Sequence, residues 1–243
     1  MIMIIKSSLI LSYITLSLIS YIECESECLN LEISIIRKVE HEGFHRNVLW
    51  LIESPLTKDL KTLLVDSKCT FVLRQDIPNG MFVNPDEIAE LSRKGKLVSY
   101  IDGSVDIEAP AHEAKSHILY IYLSSTGIEK TSIAIPIHLR YQRSQISGRY
   151  AKVMMLKPSL LSWCPGSLNK VCGKGLKVEA PCDNSGKNVC IWKNLTYQAL
   201  FDEVELYVPV GDLDDYPLVS ILTLLLGCAG CIYTLSVLST TPS

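Results

Sequence analysis

The sequence predicts a mainly β, disulfide-bonded lumenal domain, sandwich-like in architecture and held to a membrane by one C-terminal transmembrane helix. Three observations predict it. Residues 218–238 (LVSILTLLLGCAGCIYTLSVL) run for twenty-one positions without a charge, and a helix of that length is about 30 Å long, the thickness of a bilayer's hydrocarbon core. Residues 131–142 (TSIAIPIHLRYQ) alternate, with Ile133, Ile135, Ile137 and Leu139 on one face, the period of a half-buried strand. Cys28, Cys69, Cys164, Cys172, Cys182 and Cys190 lie between the two apolar ends of the chain, which suits three disulfides in an oxidising compartment.

Taken in order, the chain begins with Lys6 and then an apolar, hydroxyl-rich run that meets Glu23, Glu25 and Glu27. A short apolar core behind a positive start describes a secretory signal peptide, assigned to residues 1–24 and cut after Ser20 or Cys24, with an uncleaved signal anchor as the alternative. Residues 25–216 then form the lumenal domain, large enough to bury a substantial core. The net charge is −3, 48% of residues are hydrophobic and the mean hydropathy is +0.23. Basic and acidic residues are interspersed, which argues against a nucleic-acid partner.

Within the domain, 31–37 (LEISIIR), 69–74 (CTFVLR) and 116–124 (SHILYIYLS) read as β-prone runs, and VLWLIE after His45 reads as strand. Pro136 places its strand at an edge or bulge, because proline cannot donate to a ladder. Residues 150–156 and 204–210 complete the strands. One helix follows Asn84-Pro85, where PDEIAELSRKG sets a proline and two acids in the first turn and Gly95 near the stop. The cysteines from Cys164 to Cys190 mark a stapled, loop-rich region; their spacing is not the paired C-x-x-C of a zinc ribbon. Fifteen connectivities remain open for six cysteines. Asn194-Leu195-Thr196 is a glycan acceptor, expected on an exposed turn. Tyr216 and Pro217 introduce the span, assigned to 217–238, and 239–243 is a short, uncharged cytosolic tail. Cys228 and Cys231 within it are two small residues on one helix face.

Catalytic signals are sparse. His41-Glu42-Gly43-Phe44-His45 fits H-E-x-x-H, which on a helix would bind zinc with Glu42 as general base. Gly43 weakens such a helix by about 1 kcal/mol, and the flanking residues read as strand. A turn at Gly43, with Phe44 inward and His45 and Arg46 at the surface, is the competing reading. His117 and His138 lie in β patterns and are read as structural. No nucleophile elbow, phosphate loop or carboxylate pair is present, so no catalytic residue, metal or cofactor is assigned.

An ordered set of short motifs carries more. It comprises Gly43-Phe44-His45-Arg46, then Asp76-Ile77-Pro78-x-Gly80-Met81-Phe82-Val83-x-Pro85-x-Glu87, then Asp106-Ile107-Glu108-Ala109-Pro110. Pro136-x-His138-x-Arg140-Tyr141, Ala180-Pro181-Cys182, Cys190-x-Trp192 and Val208-Pro209-Val210-Gly211 follow. In this order, before a terminal span, the set resembles the PIG-X family, which is related to the fungal Pbn subunit. The resemblance implies a single-pass type I protein of the endoplasmic reticulum membrane, serving as the non-catalytic subunit of glycosylphosphatidylinositol (GPI) mannosyltransferase I. Its partner would be a PIG-M-like polytopic subunit that transfers the first mannose.

Two surfaces are expected to meet that partner: a small-residue face of the span around Gly227 and Gly230, and the turns of residues 76–85. Two other functions are weighed against this one. The span would be a GPI-attachment signal if it were replaced by a lipid, giving a surface binding protein. Alternatively, the domain would be a zinc protease at His41 and His45.

Overall fold

The computed structural model describes residues 28–165, 171 and 176–240. The signal segment, Cys172 and the end of the tail lie outside the described residues. In chain order the elements are β1 (Ser34–Glu40), β2 (His45–Glu53), α1 (Lys58–Asp66), β3 (Thr70–Ile77), β4 (Met81–Phe82), α2 (Pro85–Arg93), β5 (Ser99–Asp102), β6 (His117–Ser124) and β7 (Lys130–Leu139). Then come β8 (Tyr150–Met155), β9 (Ser159–Trp163), β10 (Lys177–Pro181), β11 (Val189–Asn194), β12 (Gln198–Ala199), β13 (Val204–Pro209) and α3 (Tyr216–Thr240).

Alternation decides the layers. Ile33 and Ile35, then Val48, Trp50 and Ile52, then Ile133, Ile135 and Ile137 are buried from one face of a five-stranded sheet ordered β12-β1-β2-β7-β4. Phe71, Leu73, Leu119, Ile121 and Leu160 face them from a six-stranded sheet ordered β10-β11-β9-β3-β6-β5. The two faces share one apolar core with the β13-β8 ribbon, through Val153, Met155, Leu206 and Val208. This is the expected sandwich. Burying a side chain such as Phe71 or Leu73 contributes about 1.5–3 kcal/mol.

Pro136 occupies the edge position its chemistry requires. The Leu139 N–H donates to Phe44 O on the β2 side, while the Arg140 N–H donates to Gly80 O on the other side. By the alternation of an antiparallel ladder, Pro136 faces away from β2. There β4 covers only His138 and Leu139, so the missing donor faces an open flank.

The six-stranded sheet curls. Its β10-β11 hairpin swings over the outer face, where Trp192 packs against Tyr122 and Trp163 in a second apolar cluster with Val72, Tyr120 and Leu161. The Trp192 indole donates to Ala180 O at 3.1 Å, and the Tyr122 hydroxyl donates to Pro181 O and Asp183 O. The hairpin tip, Gly186 at φ +66, lies so close to the Tyr100 ring that a Cβ would collide with it.

Two disulfides staple this arrangement. Cys69–Cys164 joins the start of β3 to the end of β9, and Cys182–Cys190 closes the hairpin. Cys28 is also disulfide-bonded.

Helix α2 follows its predicted signals: the Asn84 side chain accepts from Asp86 N, Pro85 takes the first position, and Gly95 follows at φ +67. Helix α1 was not foreseen. Thr57 caps it by accepting from Leu60 N, and Leu64 is its buried residue, so the apolar stripe is too narrow to stand out in the sequence.

Helix α3 is the one described helix long and apolar enough to cross a membrane, and none of that span is buried in the domain. Thr223 and Thr234 return their hydroxyls to Val219 O and Gly230 O, which satisfies polar groups that lipid cannot. Where the helix leaves the domain, Ser147 N donates to Asp212 Oδ1 and Asp214 Oδ2, and Gln145 N donates to Gly211 O. Leu213 N returns a bond to Gln145 O. The β7–β8 connection is thereby tied to the segment just before the span.

Candidate functional site

Four of the sequence motifs converge at one end of the five-stranded sheet. The register of β2 on β7 sets His45 directly opposite His138, and their rings meet edge to face at 4.3 Å. On the other flank β4 pairs Phe82 with His138, and these rings stack at 4.9 Å with 16° between planes. The chain passes from β4 almost at once into α2, so Glu87 falls in the first helical turn, where a carboxylate suits the helix dipole. Its Oε2 lies 2.8 Å from His138 Nε2.

Two residues further along the chain, just past the end of β7, the Arg140 guanidinium lies 4.5 Å over the Phe82 ring. Its Nη1 donates to Asp106 O and Ala109 O at 2.5 and 2.6 Å. Burial lowers the pKa of this guanidinium, and nearby Asp106 partly offsets that. Arg140 is thus what folds the 106–110 segment against the sheet, a charge bonded to carbonyls rather than to an acid. Tyr141 packs its ring 4.9 Å from Phe44 yet stays 73% exposed.

Beneath Phe82, buried His117 accepts weakly from Val83 N at 3.4 Å. Its pKa is pushed down to about 4, first by burial and then by the charge of Arg140.

Phe44, His45, Phe82, His138, Arg140 and Tyr141 line a shallow pocket of about 200 Å³, together with Ile107 and Glu108. No Ser, Thr or Cys lines it. Its chemistry is that of recognition: aromatic faces, one cation, one acid and two imidazoles.

Arg46 connects the pocket to the membrane side. It donates to Gly43 O and to Tyr207 O of β13, and from Tyr207 at most about 30 Å of chain leads to the start of α3.

A family profile described as PIG-X / PBN1 matches residues 41–239. The chain belongs to the PIG-X/PBN1 family. Among its relatives, the protein named "GPI alpha-1,4-mannosyltransferase I, stabilizing subunit" of Homo sapiens is 30% identical over 200 residues, covering 80% of this chain and 75% of that one. Proteins of the same name from Rattus norvegicus and Mus musculus are each 28% identical over 200 residues, covering 80% of this chain and 77% and 76% of their own.

The other residues of the short sequence motifs fall outside the pocket. Asp76 pairs with Arg74 at 3.0 Å on β3. Pro78 O accepts from Met81 N in the following turn, and a Cβ on Gly80 would meet Val153 at 2.7 Å. Pro85 starts α2, while Pro110 O accepts from Glu113 N and Ala114 N. Trp192 lies in the outer cluster.

Within the turns of residues 76–85, Ile77, Met81 and Val83 are anchored in the domain's own core. Asn194 closes β11, half-buried, rather than sitting on a turn. Gly227 and Gly230 face open space.

His41-Glu42-Gly43 forms the β1–β2 turn, with φ of 67° at His41 and 95° at Gly43, so the H-E-x-x-H pair has no helix to share. The pairing of His45 with His138 and Glu87 was missed in the sequence. Only the β2–β7 register and the α2 start reveal it, since the three are far apart in the chain.

Proposed function

We propose that this chain is the non-catalytic, stabilising subunit of GPI mannosyltransferase I, a type I protein of the endoplasmic reticulum membrane with its β domain in the lumen. The observation that carries the reading is the similarity, over four-fifths of the chain, to relatives named as that stabilising subunit. Its partner is a PIG-M-like polytopic subunit that moves the first mannose from dolichol-phosphate-mannose to glucosaminyl-phosphatidylinositol. Disulfides suit the lumen, and a pocket lined without a nucleophile suits a subunit that works by binding.

Two surfaces meet the partner. In the membrane, Ser220, Thr223, Gly227 and Cys231 lie along one face of α3, and Gly230 is one turn from Gly227. Small residues at such spacing let a second helix approach closely. Outside it, the pocket around His138 and Arg140 faces a loop of the partner, on the end of the domain from which the span leaves.

The test is affinity recovery of the tagged chain from mild-detergent membranes, with mass spectrometry and a mannosyltransferase assay of the eluate. Recovery of a polytopic PIG-M-like protein with transfer activity is the expected result. A chain recovered alone, and released from cells by phosphatidylinositol-specific phospholipase, overturns it. Replacing Gly227 and Gly230 by Leu is expected to lower partner abundance several-fold while leaving the β domain folded; unchanged abundance removes the helix surface from the proposal.

A further inference from the structure

We infer that His45, Glu87 and His138 form a binding site for a divalent transition-metal cation of the zinc type. One ligand atom from each of the three lies within 4.8 Å of the other two. In a tetrahedral site with metal–nitrogen bonds of about 2.0–2.1 Å, ligand atoms stand roughly 3.4 Å apart. Closing the triad therefore asks for side-chain shifts of about 1 Å, which exposed His45 can supply.

The donor set selects the ion. Two imidazoles and one carboxylate suit zinc and its neighbours, whereas calcium and magnesium seek oxygen ligands. Three features hold the donors in place: the β2–β7 register fixes the two imidazoles opposite each other, the first turn of α2 presents the carboxylate, and Phe82 stacks on His138. Three protein ligands leave a fourth coordination position, which would take water or a side chain of a bound partner; His45 and His138 both line the pocket. The inference does not rest on the subunit reading above.

The experiment uses the full-length chain in detergent, stripped of metal, on a Cys228→Ser/Cys231→Ser background, because those two free thiols would themselves take the cation. Zn²⁺ is titrated calorimetrically and Co²⁺ is followed by visible absorption. One saturable Zn²⁺ per chain is expected, with Co²⁺ ligand-field bands and no thiolate charge-transfer band. His45→Ala, at an exposed position, is expected to weaken binding by at least about 100-fold, since even loss of a group supporting a ligand costs 10–100-fold. Glu87→Gln keeps a hydrogen-bond partner for His138 and is expected to weaken Zn²⁺ while leaving the apo thermal midpoint in place. Absence of saturable uptake, or uptake of equal affinity in His45→Ala, overturns the site.

Discussion

Single residues carry a titratable side chain into the interior of this domain at two points that their neighbours in sequence do not announce. Arg37 ends a run that reads as an ordinary strand, yet it is 8% exposed and donates to Met155 O, Leu156 O and Asp202 O. Burial lowers its pKa, and its guanidinium stacks 4.6 Å over Phe201. Arg37→Met strips three carbonyls of their donor, so denaturant unfolding is expected to show a loss of about 2–4 kcal/mol. His117 is the second point. Its folded pKa of about 4 lies below the ordinary 6.5, so the unfolded chain takes up the proton first as pH falls. Stability is therefore full above pH 6.5 and declines between 6.5 and 4, by at most about 3 kcal/mol. Thermal midpoints across that range should show the slope in the native chain and a flatter one in His117→Gln. The sequence places His117 and His138 in strands correctly, but it does not separate a buried neutral imidazole from one open to a carboxylate. That distinction depends on Phe82 and Glu87 for His138, and on Arg140 for His117, each of which arrives from another part of the chain.

At the scale of elements, what was legible was what repeats. The alternation around Ile133–Leu139 and the Asn84-Pro85 start of α2 depend on near neighbours, and the structure has the expected buried face in the first and the expected proline and acids in the first turn of the second. What was not legible depends on distant partners. β9 and β10 are short, and they become strands through pairing with β3 and β11. The β10-β11 hairpin, which brings Trp192 onto the outer face of the sheet, likewise depends for its fold on distant partners such as Tyr122 and Trp163. Its tip offers a sharp test: Gly186→Ala puts a Cβ into the Tyr100 ring at a positive φ, and a loss of about 1–3 kcal/mol is expected. In Gly186→Ala/Tyr100→Ala the steric part of that loss should disappear. Cys69–Cys164 spans a sequence separation of 95, and removing both sulfurs as Cys69→Ala/Cys164→Ala is expected to lower stability by about 2–5 kcal/mol, read as the shift between oxidised native chain and variant under non-reducing conditions.

For the whole molecule, the C-terminal apolar segment made one candidate span readable before any contact was known, because length and composition alone determine what a bilayer accepts. The pocket was readable only as a set of motifs, not as a place. If the domain is lumenal, an Asn194→Gln chain will migrate faster than the native one on a gel and lose sensitivity to endoglycosidase; equal mobility would mean that Asn194 carries no glycan. The clamp of Ser147 on Asp212 and Asp214 has a further consequence, one of angle. A span joined to its domain by a slack linker can spin freely, whereas here the domain and the helix share a bearing. Each residue of an α-helix turns by about 100°, so one alanine inserted after Pro217 would swing the pocket about a quarter-turn away from the helix face that holds Gly227. Four alanines would bring it back to within about 40°. Partner abundance that collapses with one added residue and recovers with four would show that the two surfaces are read together, like the wards of a key.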